Sequence, residues 1–154
     1  MARAGDEMLV EFEKELIETI KEVCKNTSPY LGEFENKDEM ELLIKGGDSF
    51  VFVEFLSERY ENVVSKIGTY NIHILGVTSS KQQSYRQENK YKAIALCEAV
   101  DKKLRNSELN NEFRIEPKSL KVSHNSITDY GYMYVLTREI QTEFLEKSEW
   151  LKEG

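Results

Sequence analysis

The stretch 130-YGYMYVLTREIQTEF-144 decides the reading of this chain. Tyr132, Tyr134, Leu136, Ile140 and Phe144 fall on one face of an extended backbone, and Met133, Val135, Thr137, Glu139, Gln141 and Glu143 fall on the other. Successive strand side chains point to opposite sides, so this alternation predicts one strand with an apolar face and a mixed face. At roughly 3.3 Å per residue the run spans about 50 Å, against the usual ~17–20 Å of a globular strand. That surplus leads to the expectation that part of the sheet pairs or packs with a neighbouring subunit.

Composition bounds the rest. A chain of 154 residues suits one domain over residues 1–154, with 1–5 as an N-terminal arm and 145–154 as an acidic tail. Charged residues at 32% and apolar residues at 40% are ordinary for a globular protein. A net charge of −7 argues against a phosphate grip, which needs clustered Lys and Arg, so no sequence-specific nucleic-acid partner is expected. No apolar run approaches the ~20 residues of a membrane helix, and no signal-peptide core is read at the N-terminus. Cys24 and Cys97 each sit on the apolar face of a predicted helix, as small buried hydrophobes in a reducing cytoplasm.

Outward from the closing strand, two amphipathic stripes predict the main helices. The first is Leu9, Phe12, Leu16, Ile20 and Val23, with Asp6 as its cap; the second is Ala93, Leu96, Cys97, Val100 and Leu104, with Ser84 and Gln87 as a capping box. A short helix with Met40, Leu43 and Ile44 starts at Asp38 and stops at Gly46 and Gly47. The run 50–56 is apolar on both faces and reads as a central strand. Residues 63–78 form a second long strand, where Gly68 and Gly76 signal a bulge or a close backbone approach. Pro117 places the strand around 113–122 at an edge or a bulge. The expected fold is α+β: a mixed, mostly antiparallel sheet of about four strands, two main helices on one face, and long strands extending into a β-hairpin arm.

Chemistry-bearing constellations are weak. His73, His124, Cys24 and Cys97 are each alone in their segments, whereas zinc ligands come in closely spaced pairs. Ser123, His124 and Asp129 supply the residue types of a hydrolase triad without a G-x-S-x-G elbow. Glu116 and Lys118 form an E-x-K pair of the metal-nuclease kind, with Pro117 between them. The glycines form neither a P-loop nor a dinucleotide fingerprint. The expectation is a protein that is not an enzyme, without cofactor or metal.

Four segments carry a family resemblance: the helix at 7–24, the strand 49-SFVFVEF-55, the strand 70-YNIHILGV-77 leading through a serine break into 92-KAIALCEAV-100, and the closing 132-YMYVLT-137. Together they resemble the tail terminator, or tail completion, proteins of long-tailed bacteriophages and phage-tail-like bacteriocins. The resemblance implies a structural subunit, made in the bacterial cytoplasm, that assembles as a six-fold ring on the last ring of a tail tube. Such a ring ends tube polymerisation and offers a surface to sheath, neck or collar proteins. In that setting the hairpin arm at about 56–68 and the outer part of 130–144 contact neighbours. Arg59, Arg138, Glu139 and Glu143 are then rim contacts, and Tyr60 and Tyr134 apolar anchors. Rival expectations are another neck or head-to-tail joining protein, or a cytoplasmic α+β ligand-binding or regulatory module.

Overall fold

The computed structural model describes residues 8–105 and 113–145. In chain order these form α1 (Met8–Lys21), β1 (Thr27–Pro29), a 3-10 turn (Glu33–Glu35), α2 (Lys37–Gly46), β2 (Ser49–Tyr60), β3 (Ser65–Thr78), α3 (Gln83–Arg105), β4 (Ile115–Thr128) and β5 (Gly131–Leu145). The strands make one five-stranded sheet in the order β1-β2-β3-β5-β4. β1 is parallel to β2, and the other pairings are antiparallel. The fold is α+β as the patterns predict, with one more strand than expected. That strand, β1, holds three residues and pairs Thr27–Pro29 with Val51–Val53.

The alternation of β5 sorts its side chains into two cores. Tyr132, Tyr134, Leu136, Ile140 and Phe144 join Phe12, Leu16 and Ile20 of α1 and Ala93, Cys97, Val100 and Leu104 of α3 in the larger core. Met133 and Val135 face the other way, into a smaller core with Ile44 of α2, Phe52, Leu75 and Val77. Both main helices therefore cover one face, and α2 covers part of the opposite one. Leu96, at the margin of the α3 stripe, is only partly buried.

The expectation that a small domain cannot cover so long a strand is corrected here. Ile140 and Phe144 are each 1% exposed within a single chain. The lid is the N-terminal half of α1: the Phe12 ring lies 4.8 Å from Tyr70, 5.2 Å from Phe113 and 5.8 Å from Phe144. Tyr70 also donates its hydroxyl to the Leu9 carbonyl at 3.2 Å. Phe144 is thus a core residue of β5, on the apolar face that the alternation assigns it, and the strand runs on to Leu145.

Local signals mostly land near their predicted places. Gly76 lies where α3 crosses β3, and a Cβ there would sit 2.4 Å from the Asn89 carbonyl oxygen. Gly68 lies under the Phe144 ring, 2.7 Å from where its own Cβ would be. Both mark close approach; the irregularity of the β2–β3 ladder falls between Phe55 and Ser57 instead. α2 is capped by Asn36, whose side chain accepts from Glu39 N, one turn-start earlier than Asp38; Gly47, at φ 64°, ends it. α3 begins at Gln83, so Ser84 lies inside its first turn. β4 is an edge strand with irregularities after Pro117 and after Val122, and it runs on to Thr128, beyond the 113–122 read from the sequence. The arm at 1–5, the Asp6 cap and the tail from 146 onward lie outside the described residues.

Candidate functional site: an open sheet face and two free edges

Among the described residues, helix α2 and the 3-10 turn cover only one end of the second sheet face. Beyond them, register places polar side chains in cross-strand rows: Glu54, Asn71 and Glu139; Ser57, Thr69 and Gln141; and Arg59, Ile67 and Glu143. Gln141 Nε2 donates to Thr69 Oγ1 at 3.3 Å, and Ser65 donates to Glu143 across the same end. Such a face is the solvated side of an antiparallel sheet.

At the boundary between covered and open halves lies a hydrogen-bonded chain that sequence reasoning missed. Glu54 Oε1 is 2.7 Å from His73 Nε2, His73 Nδ1 is 2.9 Å from Thr137 Oγ1, and Thr137 Oγ1 is 2.5 Å from Ser123 Oγ. Tyr30 and Phe34 flank His73 at 5.3 and 5.4 Å, and His124 meets the Phe34 edge at 5.6 Å. The available signal was polarity out of place: Glu54 and His73 each interrupt an apolar run of a central strand, and Thr137 ends one.

Carboxylate, imidazole and hydroxyl are the types of a nucleophile relay. The hydroxyl touching His73 belongs to Thr137, which is 2% exposed and so cannot meet a substrate carbonyl. The chain accounts physically for a buried imidazole, whose two ring nitrogens both need partners. Ser123 turns to Thr137 and not to His124, so the triad types noted in the sequence do not assemble as a triad.

His124 is held below the ordinary imidazole value, first by burial and then by nearby His73. The folded state therefore binds this proton less readily than the unfolded chain. Stability from this group is present above about pH 6.5, the unfolded value, and is lost as pH falls through the lower folded value. Thermal unfolding should show a larger fall in Tm between about pH 7.5 and 5.5 in the wild type than in His124→Asn. Equal falls would remove His124 from the acid response.

The other candidates are placed as follows. Glu116 and Lys118 pair with each other at 2.6 Å on exposed β4. Among the described residues no three His, Cys, Asp or Glu side chains converge to hold a metal. Cys24 and Cys97 are buried thiols; burial, and then Asp101, push Cys97 up to about 11. Arg59 lies exposed at the outer end of β2, bonded to Glu61 at 2.9 Å, and Tyr60 beside it is 57% exposed. Glu139 and Glu143 lie on the open face.

Of two further expected interface residues, one is buried and the other is partly buried and engaged within the chain. Tyr134 is 4% exposed, with Lys90 Nζ 5.8 Å from its ring centroid. Arg138 grips Asp101 of α3 through two bonds of 3.0 and 2.6 Å, tying β5 to the helix above it. Even positions of β5 face the helices, and that parity turns both side chains toward α3.

Among the described residues, both edges of the sheet carry unpaired strand. β4 is exposed for most of its 14 residues, with Leu120 at 43%, Val122 at 52% and Ile127 at 55%. On the opposite side β1 protects only Val51–Val53, and among the described residues nothing pairs with the outer half of β2, where Phe55 is 40% and Leu56 44% exposed.

The fold and these surfaces define a class: an α+β protein with helices on a five-stranded sheet, an open polar face and two free strand edges. Searched against family models and curated proteins, the chain matches none. Among the described residues no helix is long and apolar enough to cross a membrane.

Proposed function

We propose that this chain is a structural subunit and not an enzyme, a ring-forming terminator of a phage or phage-like tail tube. One observation carries the reading: a long edge strand, β4, presents Leu120, Val122 and Ile127 to solvent. Exposed edges with apolar side chains invite pairing, and natural monomers blunt or cover them. Closed rings arise from heterologous contacts, in which one surface of a subunit meets a different surface of the next. A sheet with two unlike free edges suits that geometry. The six-fold number and the tube partner come from the resemblance of the four segments to tail terminators.

Light scattering on the purified protein tests the reading. A ring has a mass that is an integral multiple of the 18.0 kDa subunit, and negative-stain images show an annulus. A monomer mass at every concentration up to the solubility limit would sink it.

A further inference from the structure

We propose that neighbouring copies join edge to edge, β4 of one subunit lying antiparallel to the bare outer half of β2 in the next, so that one continuous sheet runs around the assembly. This rests on the ring reading above and assigns its contact surface.

Strand direction carries the first part. β2 opposes β3, β3 opposes β5, and β5 opposes β4, so β4 runs opposite to β2. A neighbour in the same orientation, turned about a ring axis, thus brings its β2 to β4 already antiparallel, with no subunit inverted. Joining β4 to β4 would make an isologous dimer and leave the β2 edge bare.

Charge carries the second part. Over residues 115–128, β4 has Lys118 and Lys121 against Glu116. Over residues 54–60, the outer half of β2 has Glu54 and Glu58 against Arg59. A net of plus one therefore faces a net of minus one, in a chain whose total is −7. Complementary edges favour the unlike pairing and disfavour both like pairings. Apolar side chains are available on each side: Leu120, Val122 and Ile127 on one, Phe55 and Leu56 on the other. Pro117 and the irregularity after it blunt the start of β4, which confines regular pairing to the part from Leu120 onward.

Two single variants, Ser57→Cys on the β2 edge and Ser126→Cys on β4, test the pairing with a short bismaleimide. The native thiols Cys24 and Cys97 are buried, and wild type serves as the background. The proposal expects a product of twice the subunit mass when the variants are mixed, and little from either alone. Product from Ser126→Cys alone would mean β4 pairs with itself and overturns it. A ring mass with no cross-link in the mixture would overturn edge pairing while leaving the ring standing; a monomer mass would overturn both. If the chain's own terminal segment occupies the β2 edge, the mixture stays uncross-linked and deleting residues 146–154 restores the product, which also overturns the proposal. As a second arm, Val122→Lys alters a half-exposed side chain and is expected to keep the wild-type Tm while weakening association at least tenfold. Unchanged association would count against β4 as the contact.

Discussion

Gly76→Ala is expected to destabilise the protein by about 3 kcal/mol, lowering Tm by about 6–12 °C for a chain of this size. The added Cβ would stand 2.4 Å from the Asn89 carbonyl oxygen and 3.2 Å from the Ala93 Cβ. The nearest obstacle is helix backbone, so no side chain can swing aside, and relief requires α3 to lift from β3. Lifting α3 withdraws Ala93, Cys97, Val100 and Leu104 together from the larger core. Gly46→Ala is the matched control: its Cβ would meet only the Phe50 ring at 3.5 Å, within ordinary contact. Adding a side chain there restricts the unfolded chain and is expected to be neutral or to stabilise by up to about 1 kcal/mol. Denaturant unfolding of both variants reads the difference. A loss below about 1 kcal/mol at Gly76 would mean that helix and strand are not so close there.

The second large effect is expected at Phe12. It is 0% exposed and touches Tyr70, Phe113 and Phe144, so it holds α1 over the outer ends of β3 and β5. Phe12→Ala should cost about 3–5 kcal/mol, the transfer of the ring plus the cavity left behind. Phe12→Leu keeps most of the apolar volume and should cost less than about 2 kcal/mol. The consequence reaches beyond stability, because Ile140 and Phe144 lose their cover when α1 loosens. Increased binding of a hydrophobic dye by Phe12→Ala at temperatures where it is still folded would report that exposure. A cost under about 1 kcal/mol would show that α1 is not the lid of the long strands, and the neighbour-subunit explanation of their length would return.

These two sites frame how the assembly reading stands physically. Strand length by itself no longer calls for a neighbour, since α1 covers the outer core. The proposed assembly rests instead on the composition of the two edges, which carry apolar side chains of their own and opposite charge balances. The buried relay through His73 belongs to the fold. Glu54 and Thr137 satisfy its two nitrogens in the centre of the sheet, where an unpaired ring nitrogen would cost about 1–3 kcal/mol.

The sequence by itself determined whatever depends on near neighbours along the chain. Alternation from Tyr132 to Phe144 assigned the two faces of β5, the stripes of α1 and α3 assigned their buried sides, and Pro117 put β4 at an edge. Gly76 announced a close approach, although nothing in the sequence said that the approaching atom was the Asn89 carbonyl. Only the tertiary structure decided what each prepared face meets. β1 exists because three residues find the edge of β2 at Val51–Val53; as an isolated tripeptide ending in Pro29 it has no strand signal of its own. His73 found Glu54 and Thr137, and Arg138 found Asp101, across separations that no local pattern encodes. Phe12 closes over Phe144 from the opposite end of the chain, which turned a strand that looked too long for its domain into one the domain covers. Periodicity follows from the backbone geometry of a few consecutive residues. Coverage follows from how distant segments fold back on one another, and that is settled by the packing of the whole chain.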